Sequence, residues 1–394
     1  MKHGKIILIV LDGVGIGELP DAFSYGDRGT NTLANTARVV GGLQTPHLGK
    51  LGLGNIVPIK GVPGTSSAQG CFGKMAELSK AKDSTTGHWE LAGVVTDQTF
   101  PTYPRGFPPD LLKKFMDLTG CRGFLGNKPA SGTEIIKELG DVHVRTGFPI
   151  VYTSGDSVFQ IAAHEEVIPL GKLYEICRKT REDVVVEEHR VGRVIARPFV
   201  GKSGSYTRTP NRKDFALEPP GETVLDVLMK NGVPTISIGK IDDLFSGKGL
   251  GEKIHTKSNA DGISEIKRQA RKMKEGFLMA NLVDFDMLYG HRQDPQGLAR
   301  ALEEFDDSLP EILENIKNND ILMITADHGN DPTDKSTDHS REYVPILSYT
   351  ATGTRNVNLG VRKSFSDAGK TVAQFFGVQE SLAGVSFLGL IHGN

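Results

Sequence analysis

Cysteine is nearly absent: only Cys71, Cys121 and Cys177 stand among 394 residues. Three thiols so far apart make neither a disulfide framework nor a zinc spacing, which points to a reducing, cytoplasmic setting. Long hydrophobic runs are missing too. No stretch approaches the roughly 20 apolar residues that cross a bilayer. The opening "MKHGKIILIVLDGVGIG" has a basic start, but its apolar stretch is short and no small-residue cleavage site follows. It reads as a first buried strand rather than a leader. An excess of one charge is also lacking, with 46 Lys and Arg against 48 Asp and Glu for a net charge of −2. Nothing in that balance addresses nucleic acid or a membrane surface, and no acidic block forms a solvating tail. Internal repeats and low-complexity segments are absent. The 38% hydrophobic and 24% charged residues are ordinary for a soluble globular chain. A length of 394 residues exceeds one ordinary core, so two domains are expected.

Short apolar runs rich in Ile, Val and Leu are present at 5–11 (KIILIVL), 233–239 (VPTISIG), 276–283 (GFLMANLV) and 320–326 (DILMITA). Such runs predict buried parallel strands. Helical patterns lead into three of them: "GETVLDVLMKNG", "ISEIKRQARKMKEG" and "ARALEEFDDSLPEILENIKNND", the last with Pro310 expected to bend or restart it. The alternation predicts an α/β fold around a central, mostly parallel sheet. Residues 100–217 differ, being rich in Pro, Gly, Arg and Lys, with short alternating stretches such as "HVRTGFPIVYTS", "VFQIAAHE" and "VGRVIARPFVG". This segment reads as a smaller α+β domain inserted into a larger one formed by 1–99 and 218–394.

Ligands of open α/β sheets bind beyond the carboxyl ends of the strands. Asp12 follows the run at 5–11. Asp284, Asp286 and, through "MLYG", His291 follow the run at 276–283. Asp327 and His328 follow the run at 320–326, and His339 lies in the next loop. Singly, an Asp after a strand is more often a helix cap or turn former, and a loop His more often a hydrogen-bonded residue than a ligand. Jointly, three strand ends carry the same chemistry. Acids gathered at one edge repel each other, and divalent cations resolve the repulsion. Carboxylate and imidazole without thiolate suit Mn²⁺, Mg²⁺ or Zn²⁺. These candidates are too many for one catalytic ion with an open position. They suffice for two, which in two-metal sites lie ~3.5–4 Å apart. Asp284, Asp331, Asp334 and Asp338 are weaker candidates.

A second feature is "KAKDSTTGHWELAG", residues 80–93. Asp83, Ser84, Thr85 and Thr86 read as a helix start, for which these residue types are the preferred caps. The same position offers free backbone N–H groups and the positive end of a dipole, where a phosphate is welcome. A hydroxyl there, activated by a metal, becomes a nucleophile.

Together these residues resemble the alkaline phosphatase superfamily and, within it, most closely the phosphopentomutase family. The resemblance runs along nearly the whole chain. It rests on "VLDGVGIGELPDA" (10–22), "GLGN" (52–55), "KDSTTGHWE" (82–90), "TSGDSVFQIAAHE" (153–165), "NLVDFDMLYGHR" (281–292) and "TADHGNDPT" with "STDHSREYVP" (325–345). It implies an alkaline-phosphatase-like core with an inserted cap and two Mn²⁺ ions, for which Mg²⁺ or Zn²⁺ substitute. Asp286, His291 and His339 would hold one ion, and Asp12, Asp327 and His328 the other, with the nucleophilic hydroxyl between them. Where the family usually has Thr after the Asp, this chain has Ser84, with Thr85 and Thr86 following; of these three hydroxyls Ser84 is the one expected to carry the phosphate. The implied reaction moves phosphate between C1 and C5 of ribose or 2-deoxyribose. A sugar bisphosphate primes it and is its intermediate. The sugar phosphate's far phosphate needs its own site, for which the resemblance nominates Arg193, Arg208 and Lys240, with Asp156 accepting sugar hydroxyls. Arg197, Arg212 and Lys213 read as solvated surface charges.

The rival readings are a cofactor-independent phosphoglycerate mutase, a metal-dependent phosphomonoesterase and a non-catalytic metal or phosphate sensor. "DSTTGHWE" argues against the first. A sensor would lack the nucleophile or one ligand set, and neither is missing. The expected partners are small sugar phosphates.

Overall fold

The computed structural model describes residues 4–97, 99–155 and 157–392. The chain divides into two compact units, Met1–Gln98 with Pro219–Asn394 and Thr99–Glu218. The larger unit begins with β1 (Lys5–Leu11) and β2 (Cys71–Met75). The smaller unit holds β3 (Leu125–Pro129), β4 (Ile150–Thr153), β5 (Val158–His164), β6 (Arg193–Val200), β7 (Thr207–Arg208) and β8 (Lys213–Ala216). The larger unit resumes with β9 (Thr235–Ile238), β10 (Glu252–Ile254), β11 (Gly276–Leu282), β12 (Ile321–Thr325), β13 (Val344–Tyr349) and β14 (Asn358–Arg362). Among the described residues no helix is long and apolar enough to cross a membrane.

The strands of the larger unit form one sheet in the order β10-β9-β11-β1-β12-β13-β2-β14. Only β13 runs against its neighbours. Every residue of β1 and β11 is buried, as a parallel strand covered on both faces requires. Register then positions chemistry. Leu11 pairs with Leu282, and Val10 with Thr325. Continuing the second ladder by two residues brings Asp12 opposite Asp327, one strand spacing of about 4.8 Å away. The Gly13 amide donates to Asp327 Oδ1 across that gap at 3.1 Å.

The Ser84–Leu91 helix lies over this edge. Asp83 caps it, accepting from the amides of Thr85 and Thr86. The helix has no solvent side from Thr86 onward, so specific anchors rather than an amphipathic stripe hold it. The Trp89 indole donates to the Leu244 carbonyl at 2.9 Å. Glu90 accepts from the amides of Leu78, Ser79 and Phe365 and from the Ser364 hydroxyl. Gly87 lets the helix touch the sheet edge: a Cβ there would lie 2.1 Å from the Asp327 carbonyl oxygen.

Two expectations shift. The helix expected to bend or restart at Pro310 runs unbroken over Pro295–Leu313. Pro310 sits three residues from its end, so the missing amide removes one hydrogen bond and no turn has to follow it far. The alternating stretch from His143 does not begin as a strand. His143–Thr146 closes the Gly132–Thr146 helix, which Gly147 ends in the left-handed region at φ 74°. Ile135 and Ile136 of that helix pack on Ile150, Tyr152, Ala162 and Phe199. The opposite face of the smaller unit's mixed sheet is covered by the Pro109–Thr119 and Leu170–Lys179 helices.

Gly87→Ala is expected to lower unfolding stability by about 1–3 kcal/mol, as overpacking against rigid backbone does. Denaturant titration checks this, and unchanged stability would show that the helix does not rest on the Asp327 backbone.

Candidate active site

Asp12 follows β1 directly, and Asp327 follows β12 by two residues. After β11 the chain enters a wide π-type turn over Phe285–Gly290, with Asp286 in its first turn and His291 as its cap. The His291 amide bonds the Asp286 carbonyl at 3.0 Å, and the wide turn stacks imidazole on carboxylate. His291 Nε2 lies 3.2 Å from Asp286 Oδ2. Such turns are rare and gather at functional sites. His339, from the loop between β12 and β13, approaches from the other side. Its Nε2 is 3.1 Å from His291 Nε2 and 3.5 Å from Asp286 Oδ1. His328 stacks on His339 at 3.9 Å between centroids and sets its Nε2 3.3 Å from Asp12 Oδ1 and 3.4 Å from Asp327 Oδ2. All six sequence-predicted ligands therefore meet at one edge of one sheet.

Each of the three imidazoles turns Nδ1 to a backbone carbonyl: His291 to Thr337 at 2.6 Å, His328 to Gly329 at 3.0 Å and His339 to Lys82 at 3.0 Å. A carbonyl accepts only, so each Nδ1 carries the hydrogen and each Nε2 points inward, presenting a lone pair whenever the ring is neutral. Carboxylate oxygens and imidazole lone pairs then face one another with few donors among them. Asp327 Oδ2 is fully buried, 3.0 Å from His88 Nδ1 and 3.4 Å from His328 Nε2. Two ligand groups are compact enough to close on an ion: Asp286, His291 and His339, and Asp12, Asp286 and His328. Asp286 belongs to both, and Asp327 borders the second through its contact with His328.

Burial works against charge here, and mutual contact reverses it. The imidazoles of His339, His291 and His328 outweigh burial and hold the Asp286 carboxyl well below the usual carboxylate range. Burial disfavours the cation on His291, yet the hydrogen bond and charge of Asp286 push its pKa up to about 9. His328 is likewise raised well above the ordinary imidazole value, with Asp327 and Asp12 outweighing burial. Without an ion, this donor set collects protons; divalent cations fit the same place.

The three candidate hydroxyls separate by geometry. Ser84 Oγ lies 3.0 Å from His328 Nε2 and 3.4 Å from Asp12 Oδ1. The Thr86 hydroxyl is buried and turned back onto Asp83. Among the described residues no hydrogen bond of the Thr85 hydroxyl reaches the cluster. The weaker carboxylate candidates are occupied in caps and turns. Asp284 accepts from Asn259 N, Asp331 from Asn31 N, Asn35 and Thr333, and Asp334 from Ser336 N. Asp338 accepts from the His339 amide and faces Lys82 Nζ at 3.5 Å.

The Metalloenzyme superfamily matches residues 4–380. A phosphopentomutase of Dictyoglomus turgidum is 58% identical over 384 residues, 98% of this chain and 97% of that protein. A phosphopentomutase of Acetivibrio thermocellus is 56% identical over 387 residues, 98% of this chain and 99% of that protein. The chain belongs to the phosphopentomutase family. It is thus an enzyme, a phosphotransferase-type isomerase. Its fold is also that of the PH0037 protein of Pyrococcus horikoshii, with TM-score 0.52 at 15% identity over 97% of this chain and 100% of that one.

Sequence reasoning missed several residues that hold the phosphopentomutase cluster in shape. Asn330 donates to Asp286 Oδ1 at 2.7 Å. Asn281, inside the apolar β11, donates to Asp12 Oδ2 at 2.7 Å. A polar amide in an otherwise apolar strand was the available signal. Glu342 is buried and accepts from Gly17 N, Thr32 N and the hydroxyls of Thr32 and Ser340, tying the loop after β1 to the loop carrying His339. Burial pushes its pKa up to about 7.

Within the smaller unit, Arg193 and Arg208 do not form one cluster. Asp156 lies outside the described residues. Lys240 follows β9 at the carboxyl edge of the larger unit's sheet. Arg193 opens β6, whereas Arg208 pairs with Phe199 near its other end, so the two backbones stand roughly 20 Å apart along the strand. Arg193 Nη1 is 3.7 Å from Asp214. Arg208 Nη1 sits 3.5 Å from where a Cβ on Gly132 would lie, at the start of the Gly132–Thr146 helix. Arg197 and Arg212, read from sequence as solvated charges, gather with Arg208 around Tyr152. Arg197 is half-buried and bonds Gln160, and Arg212 forks onto Asp214. Lys213 lies over the Tyr174 and Phe215 rings.

In the ion-free protein the His291–Asp286 contact stabilises the fold fully below the unfolded imidazole value of about 6.5. It fades as pH climbs through about 9. An ion held by His291 near neutral pH would displace that proton. Calorimetric titration with Mn²⁺ in buffers of different ionisation enthalpy is expected to show net proton release, with affinity falling from pH ~9 toward 6. Affinity indifferent to pH and buffer would count against ligation by His291.

Proposed function

We propose that this chain interconverts ribose or deoxyribose 1-phosphate and 5-phosphate through phosphorylated Ser84, with two Mn²⁺ held by Asp12, Asp286, His291, Asp327, His328 and His339. The observation that carries the reading is Ser84 Oγ at 3.0 Å from His328 and 3.4 Å from Asp12, on the first residue of a buried helix. The near-full-length identity to proteins named phosphopentomutase supports the same reaction. Bound there, divalent ions would neutralise charge on the transferring phosphoryl group.

The chain's own residues do the rest. Ser84 Oγ takes the phosphoryl group from a sugar bisphosphate: the bond from phosphorus to the sugar oxygen breaks, a bond to Oγ forms, and the departing oxygen takes the proton that Ser84 gives up. Phosphorylated Ser84 then gives its phosphoryl group to the free 5-hydroxyl of ribose 1-phosphate, forming the 1,5-bisphosphate. The 1-phosphoryl group of that bisphosphate returns to Ser84 and leaves ribose 5-phosphate. The amides at the helix start and its dipole favour the phosphoryl oxygens. Positioning and charge neutralisation, rather than covalent assistance, govern such transfers. In the smaller unit, Arg208 beside the start of the Gly132–Thr146 helix is a fitting receptor for the far phosphate, with a planar guanidinium fork and helix amides close together. Arg193, Lys240 and Asp156 complete the proposed set of substrate contacts. A cytoplasmic setting fits the three unpaired thiols.

Ribose 1-phosphate supplied with a bisphosphate primer is expected to become ribose 5-phosphate. Stoichiometric inorganic phosphate instead would mark a phosphomonoesterase. Mass spectrometry after priming is expected to find one phosphoryl group on Ser84. Ser84→Ala should abolish turnover while ion content and fold persist; substantial residual mutase activity would overturn the assignment. Arg208→Ala is expected to raise KM with a smaller change in kcat. If neither constant moves, Arg208 does not hold the far phosphate.

A further inference from the structure

Four groups, Asp12, Asn281, His88 and the Ser84 carbonyl, lie in a line, the first three of them buried. Asn281 Nδ2 is 2.7 Å from Asp12 Oδ2 and 3.2 Å from His88 Nε2. His88 Nδ1 is 2.7 Å from the Ser84 carbonyl. His88 is 0% exposed and Asn281 1%. The chemistry of the ends decides every proton in between. Turning the Asn281 amide over would set its oxygen against a carboxylate, so the NH₂ faces Asp12. Its second hydrogen then goes to His88 Nε2, which must accept. His88 is therefore held as the tautomer with hydrogen on Nδ1, and that hydrogen is donated to Ser84 O, with Asp327 Oδ2 also 3.0 Å from the same nitrogen. The line starts on a candidate ligand and ends on the backbone of the candidate nucleophile. Neither His88 nor Asn281 belongs to a compact ligand group.

We infer that His88 and Asn281 are positioning residues, a rigid bracket that sets Asp12 and Ser84 at a fixed distance and fixes the rotation of the Ser84–Leu91 helix about its axis. The inference rests on the reading of Asp12 as a ligand and Ser84 as the nucleophile. Helix rotation matters because Ser84 sits at the first turn, where small rotations carry Oγ away from the phosphoryl group. The bracket has two halves with different duties. The acceptor at Nε2 keeps Asn281, and through it Asp12, in place. The donor at Nδ1 keeps Ser84 in place.

Two conservative variants separate those duties. In His88→Gln the amide oxygen reaches the position of Nε2 and still accepts from Asn281. In His88→Asn the amide nitrogen occupies the position of Nδ1 and still donates to Ser84 O. Mn²⁺ binding to metal-stripped protein is read by calorimetry, and Ser84 phosphorylation by bisphosphate at saturating Mn²⁺ is read by rapid quench. His88→Gln, which also gives up the Nδ1 contact with Asp327, is expected to lose less ion affinity than His88→Asn and to slow phosphorylation roughly 10–100-fold, the effect of ångström-scale misplacement. His88→Asn is expected to lose roughly 10–100-fold in affinity at one of two ion sites, as outer-shell changes do, with phosphorylation less affected. Loss of both readouts in parallel in both variants, or of neither, overturns the bracket. Should the His88 variants fail to fold, Asn281→Leu is expected to weaken one ion site by the same factor, and unchanged affinity there overturns it as well. Wild-type protein that takes up fewer than two ions sinks the two-ion reading itself; two ions in wild type with indifferent variants sinks the bracket alone.

Discussion

A convergence of carboxylates and imidazoles that holds together only with protons or cations among them is the constraint to which the larger unit is built. Asp12, Asp286, Asp327, His291, His328 and His339 turn acceptor atoms toward one another within a few ångströms. Such a cluster holds its shape only if each member is gripped from behind. Parallel register grips Asp12 and Asp327 through the backbone of three central strands. A π-type turn grips Asp286 and His291 as one piece. Three carbonyls take the three Nδ1 hydrogens and so aim every Nε2 inward. Asn281 and Asn330 each hold a carboxylate oxygen at 2.7 Å.

Further out, two buried charged side chains join the loops that carry this machinery. Glu342 ties the turn after β1 and the start of the Thr32–Val40 helix to Ser340, next to His339. Arg341 reaches the other way. Its guanidinium donates to the carbonyls of Glu77 and Ser79 and to the Glu77 carboxylate, so the segment leading to Ser84 folds around a cation. Two consecutive residues of one loop thus hold two other loops. Removing either would leave a partner buried and unpaired, the costly half of a hydrogen bond.

Much of the fold was legible because parallel strands buried on both faces write themselves as unbroken apolar runs. β1, β11 and β12 are such runs, and the residues just beyond them form the candidate site. The braces were not legible. Asn281 sits in the middle of an apolar strand, and His88 in the middle of a short helix. Nothing local separates a brace from a tolerated polar residue until its partner, hundreds of residues away, is known. Residue type was also insufficient. Asp286 and Asp284 are two positions apart in one loop, yet one faces the cluster and the other caps the Asn259–Lys272 helix. Arg197 and Arg208 look alike in sequence, and the sheet half-buries one while leaving the other exposed.

By itself the sequence determined four buried strands of the larger sheet and the chemistry just beyond three of them, because those follow from local pattern and backbone direction. Only the tertiary structure decided which hydroxyl of three faces the cluster, that Asp286 serves both ligand groups, and that Arg193 and Arg208 stand at opposite ends of β6. Those facts are distances between residues remote along the chain. Packing and strand register set them, and no local propensity encodes them.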